Sequence, residues 1–117
     1  MSTNSQIAFA PLGNTVVIPA AAVASTGVQA LVDARFNAQA VGQYRIINSS
    51  ANTVFLGVGP TAAIATANAV APVAGTPSAA IVLVPGAVEI LRFNINTYFS
   101  GLSSAAATVY ITPGQGL

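Results

Sequence analysis

Between Arg45 and Glu89 the chain carries no charged residue, yet it never settles into a continuous apolar run. The interval is broken by Asn48, Asn52, Pro60, Asn68, Pro72, Gly75 and Pro77, and much of its apolar content is alanine. A membrane-spanning helix needs about 20 consecutive, predominantly apolar residues, so this spacing of breakers excludes one, and no membrane partner is expected. What remains is short β-branched or aromatic runs closed by turn residues, which are the marks of strands.

The same pattern extends from end to end. Strands are expected near residues 5–10, 14–19, 27–32, 43–48, 53–58, 79–84, 87–93 and 107–112. About eight short strands in one chain of 117 residues predict an all-β fold, a single domain over 1–117 built as a β-sandwich or jelly roll. Folding a chain of this length buries about 65% of the surface its unfolded form exposes, enough for a modest core. In QYRII, Tyr44 and Ile46 share one face; in TVFLGV, Val54, Leu56 and Val58 form the core-facing set.

The connections are less regular. NSSAN, residues 48–52, reads as a hairpin loop joining the strands on either side of it. Pro85 and Gly86 are all that separate AAIVLV from AVEILRF, and proline cannot take the positive φ that a tight I′ or II′ hairpin requires. A type II turn at a corner is therefore expected there. Residues 61–70 are alanine-rich with Thr61 as a helix cap, predicting one or two helical turns that end before Pro72. Extended loops or arms are expected near 33–42 and within 60–78.

Charge limits function more sharply than it limits fold. Three arginines and two acids make 4% of the chain, where soluble domains average about 25%. Water alone is a poor cover for such a surface, so self-association and burial against neighbouring proteins are expected. Histidine and cysteine are absent, which removes the usual general base, the thiol nucleophile and most transition-metal ligands. No cofactor, no metal and no catalytic residue is expected, and the chain does not read as an enzyme. Asp33 and Glu89 are the whole acid inventory, and nothing in the spacing brings them together. The GVG at 57–59 and GQG at 114–116 lack the remaining spacing and the following helix of a phosphate-binding loop. Arg35, Arg45 and Arg92 are too few for a nucleic-acid face, so no nucleic acid is expected.

Contact residues are more promising than chemistry. Arg45 and Arg92 can hydrogen-bond loop carbonyls or meet an acidic partner surface. Tyr98 and Phe99 are adjacent in NTYFSGL, so in an extended chain one of them enters the core and the other is a contact candidate. In the tail ATVYITPGQGL, Val109 and Ile111 face one way and Thr108, Tyr110 and Thr112 the other. Pro113 is expected to end that strand, leaving Leu117 to lie against a neighbour or against its own sheet.

The series GQYRIINSSANTVFLGVG, VLVPGAVEILRF, YFSGL and TVYITPGQGL resembles small virion proteins encoded near the major capsid gene of tailed bacteriophages and prophages, over about residues 42–117. The resemblance implies a capsid decoration or cement protein, a non-enzymatic structural protein that binds the outside of the phage head and stabilises contacts between capsomers. Its implied partners are the major capsid protein or other virion proteins, and its implied location is the virion, at the capsid surface, after assembly in the host cytoplasm. The alternative within the same resemblance is another virion component: a head-fibre base, a tail accessory protein or a carbohydrate-binding module.

Overall fold

The computed structural model describes residues 9–32 and 41–115. Their strands are β1 (Ala10–Pro11), β2 (Val16–Ala21), β3 (Val28–Gln29), β4 (Val41–Asn48), β5 (Val54–Gly59), β6 (Ile81–Leu83), β7 (Val88–Asn94), β8 (Tyr98–Ser103) and β9 (Ala107–Gln115), with one helix, α1 (Ala62–Asn68). The protein is all-β apart from that helix. Its strands form one curled sheet in the order β6-β5-β8-β2-β9-β4-β7, with β1 beside β9 and β3 beside β8. The pairing shows no division into the two sheets of a sandwich or jelly roll.

β2 joins the two halves of the curl. Its residues Val16–Ala20 run antiparallel to β9, and Ala20–Ala21 also run parallel to Gly101–Leu102 of β8. Inside the curl, Ile18, Ile46, Leu56, Leu83, Val109 and Ile111 are wholly buried in one apolar cluster. Tyr44 and Phe99 lie in the same cluster, with ring centroids 5.2 Å apart, and Phe93 closes the triangle at 6.0 Å from Tyr44 and 5.9 Å from Phe99. Such edge and tilted packings add stabilisation beyond area burial. The Tyr44 hydroxyl is also satisfied, donating to the Asn94 carbonyl at 2.7 Å and accepting the Thr97 N–H at 3.4 Å.

Asn48 holds the two crossings of the chain together. It is wholly buried, and its Nδ2 donates to the carbonyls of Asn52 and Leu83 at 2.9 Å and to that of Val84 at 3.2 Å. Its Oδ1 accepts from the Ser50 N–H at 3.1 Å and the Ser50 hydroxyl at 2.7 Å. The main chain adds Asn48 N–H to the Ala87 carbonyl and Gly86 N–H to the Asn48 carbonyl, each at 3.0 Å. One carboxamide thus shapes the 48–52 loop and anchors the Pro85-Gly86 corner.

That corner is the type II turn expected: Gly86 has φ +76 and the Ala87 N–H reaches the Val84 carbonyl at 3.0 Å. The chain passes through it from β6 at one edge of the sheet to β7 at the other. NSSAN, in contrast, is not a hairpin. β4 pairs with β7 and β9, while β5 pairs with β6 and β8, so the loop carries the chain across the curl. Asn48 supports this route, because its side chain donates to carbonyls on both crossings, that of Asn52 in the loop and those of Leu83 and Val84 before the corner.

The helix forms where expected, with Thr61 Oγ1 accepting the Ile64 N–H at 3.2 Å as an N-cap. It lies directly on the backbone of β5. A Cβ on Gly57 would come within 2.1 Å of the Ala65 carbonyl oxygen and 2.4 Å of the Ala69 nitrogen, so the first glycine of GVG serves helix packing.

Three further expectations are corrected. Residues 98–103, outside the strands expected from sequence, form β8, and Ser100, Gly101 and Ser103 are buried there because β5 flanks one side and β2 and β3 the other. β9 does not end at Pro113 but runs to Gln115. Pro113 is tolerated because the strand beside it is irregular at that point: β1 and β2 are separated by residues 12–15, and only the Pro113 carbonyl is used, by the Leu12 N–H at 2.9 Å. Finally, Val41 and Gly42 belong to β4 rather than to an arm. The expected strand start at 5–8, the arm over 33–40 with Asp33 and Arg35, and Leu117 lie outside the described residues.

Two substitutions test this organisation. Asn48→Ala should cost at least about 3 kcal/mol in urea unfolding, since several acceptors lose their donor together, and Asn48→Asp should cost more because it turns an oxygen toward carbonyls. Gly57→Ala should cost about 2 kcal/mol or more by overpacking, with the loss of amide-exchange protection concentrated in α1 and β5.

Candidate interaction surfaces

Strand register determines which residues meet on the outside of the curl. Cross-strand neighbours place Val88 beside Ile47, Ile47 beside Tyr110, and Tyr110 beside Val17, one row across β7, β4, β9 and β2. Val17, Tyr110 and Val88 are exposed, and Ile47 is half-buried. In the next row Ile90 lies beside Arg45 and Arg45 beside Thr112, whose hydroxyl is 2.7 Å from that of Thr15. Arg92 sits one row further on, beside Gln43. A groove of about 450 Å³ lined by Phe9, Pro11, Gly13, Thr15, Arg45 and Thr112 borders this face.

The other half of the curl presents a different surface. Val82, Phe55 and Leu102 form a row across β6, β5 and β8, and Val82 and Val84 are 50% and 57% exposed. Phe55 and Leu102 also line a hollow of about 250 Å³ with Ala22, Ala71, Ser103 and Ser104. Among the described residues, no charged side chain lines it. α1 covers the adjacent rows, where Gly57 lies beside Ser100 and Gly59 beside Tyr98.

The contact residues expected from sequence divide accordingly. Arg45 and Arg92 are exposed and brought onto one face. Tyr98 is half-buried on β8, in the opposite half of the curl, apart from them. Phe99 is wholly buried in the aromatic cluster, so it is a core residue rather than a contact. Val17, Ile47, Val88, Ile90 and Tyr110 were not singled out as contacts. The outward side of β9 was legible from alternation, but which strands flank β9 is fixed by long-range pairing.

The Ser25, Thr66 and Ser100 hydroxyls are taken up by structure. The Ser100 hydroxyl donates to the Ser25 carbonyl at 2.5 Å, the Thr66 hydroxyl to the same carbonyl at 2.9 Å, and the Gly101 N–H to Ser25 Oγ at 3.1 Å. These bonds tie α1 and β8 to the loop after β2. Among the described residues, no three His, Cys, Asp or Glu side chains gather as a metal site, and no helix is long and apolar enough to cross a membrane.

The charge-free patch generates a test of self-association. Val82→Thr with Val84→Thr should leave unfolding within about 1 kcal/mol of the parent, both side chains being exposed. The same pair should raise about tenfold the concentration at which light scattering departs from an 11.6 kDa monomer, the effect of losing about 1.4 kcal/mol of apolar contact. Comparison with protein-family models, with curated proteins and with solved structures finds no match, so both surfaces are read from their own geometry.

Proposed function

We propose that the protein is a non-enzymatic structural subunit of a larger assembly, of the capsid decoration or cement type, binding the outside of a tailed-phage head and bracing contacts between capsomers. The observation that carries the assembly reading is the outer face of β7, β4, β9 and β2. There apolar side chains from four strands lie together in solvent, with arginine as their charged neighbour. Exposed apolar patches of this kind mark protein contacts. The scarcity of charge over the whole chain supports the same reading, and the capsid assignment comes from the sequence resemblance over about residues 42–117. Passage of the chain back and forth between the two halves of the curl is a habit of jelly rolls, and we read the fold as related to them.

Cryo-electron microscopy of particles from the phage or prophage that encodes the chain tests the role. A decoration protein should appear on the head surface in a copy number on the order of several hundred, as closed shell symmetry requires. Density confined to the tail or vertex at about six or twelve copies would instead select a head-fibre base or tail accessory protein. Absence from particles would overturn both.

A further inference from the structure

We propose that the arginine-bearing face of β4 and β7 docks an extended acidic segment of a partner protein, with carboxylates at alternate positions seated on Arg45 and Arg92. The proposal rests on the assembly reading above and specifies its partner.

The two described arginines both project to the solvent side of the sheet. Arg45 lies beside Ile90, and Arg92 is two residues further along β7. Their side chains are therefore diagonal neighbours, about 7–8 Å apart at their bases. The acid among the described residues, Glu89, lies beside Ile46, a core residue, and so belongs to the opposite side of β7. The charges of the described residues are thus separated by face. Neither guanidinium makes a hydrogen bond or ion pair with another described residue, although both are exposed. Two forks unpaired among the described residues, on a face shared with Val88, Ile90, Ile47 and Tyr110 and with the polar Gln43 and Thr112, attract anions and repel a second copy of themselves.

The spacing selects the anion's form. Side chains on one face of an extended strand recur every two residues, about 6.6–6.8 Å, which matches the diagonal of Arg45 and Arg92. A guanidinium binds a carboxylate through two parallel N–H···O bonds, so a segment of the type Glu-x-Glu satisfies both forks at once. The apolar rows beside them accept the segment's flanking apolar side chains. A polyphosphate chain is the weaker fit, because nucleic-acid affinity grows with the number of cations and, among the described residues, two stand here.

The test uses the purified full-length protein and the peptide acetyl-Thr-Glu-Val-Glu-Thr-amide, followed by NMR at the arginine Nε–H groups. The peptide should give saturable shifts at Arg45 and Arg92. Replacing both of its glutamates with glutamine should weaken binding by about tenfold or more, the effect expected when charge-assisted hydrogen bonds are lost. Arg45→Gln and Arg92→Gln should each weaken it about tenfold with unchanged thermal unfolding, and Glu89→Gln should leave it unaltered. Equal binding of the glutamine peptide, insensitivity to both arginine substitutions, or tighter binding of a single-stranded DNA probe at the same groups would overturn the proposal. Peptide binding here with particles that lack the protein would retain the site and remove the decoration role. Decorated particles with arginine-insensitive peptide binding would do the reverse.

Discussion

The curl depends on one buried carboxamide. Asn48 ends β4 at the point where the chain must leave one half of the sheet for the other, and the chain returns past the same point through Pro85 and Gly86. A crossing of this kind strips carbonyls from their ladders, and a buried carbonyl without a donor is costly. The donors and acceptors of Asn48 answer both crossings at once. An apolar residue of the same volume could fill the space but could not hold the two connections together.

From that junction follows the separation of surfaces. Because β4 and β5 diverge instead of pairing, β4 joins β7 and β9 in one half and β5 joins β6 and β8 in the other. Both described arginines therefore fall in the first half, and the uncharged row of Val82, Phe55 and Leu102 falls in the second. A hairpin at 48–52 would have mixed the two. Surface chemistry in this protein is thus an outcome of how the chain crosses, not of local composition.

Local signals in the sequence survive well. Thr61 caps its helix, Gly86 takes its positive φ, Val109 and Ile111 face the core, and Tyr44 and Ile46 share the buried side of β4. Each depends on a few adjacent residues whose stereochemistry is nearly sufficient. What sequence could not supply is partnership. β8 is not among the strands expected from sequence because its small polar residues gain their strand character from β5 on one side and β2 and β3 on the other. Pro113 looked like a terminator because the irregularity that accommodates it lies about a hundred residues earlier in the chain, at 12–15. The diagonal proximity of Arg45 and Arg92 is hidden for the same reason: both are candidate contacts in the sequence, but only the register of β4 on β7 brings them near one another.

The placement of β9 bears on the order of events during synthesis. It lies between β4 on one side and β1 and β2 on the other, although β4, the nearest of them in sequence, ends at Asn48 and β9 begins only at Ala107. Until residues 107–115 have left the ribosome, the first half of the curl has no centre, and β2 and β4 remain apolar strands without their common neighbour. Non-local pairing of this kind slows folding and leaves sticky intermediates exposed. The chain therefore completes its sheet after translation of β9, and a nascent population of this protein is most in need of shielding just before it becomes able to fold.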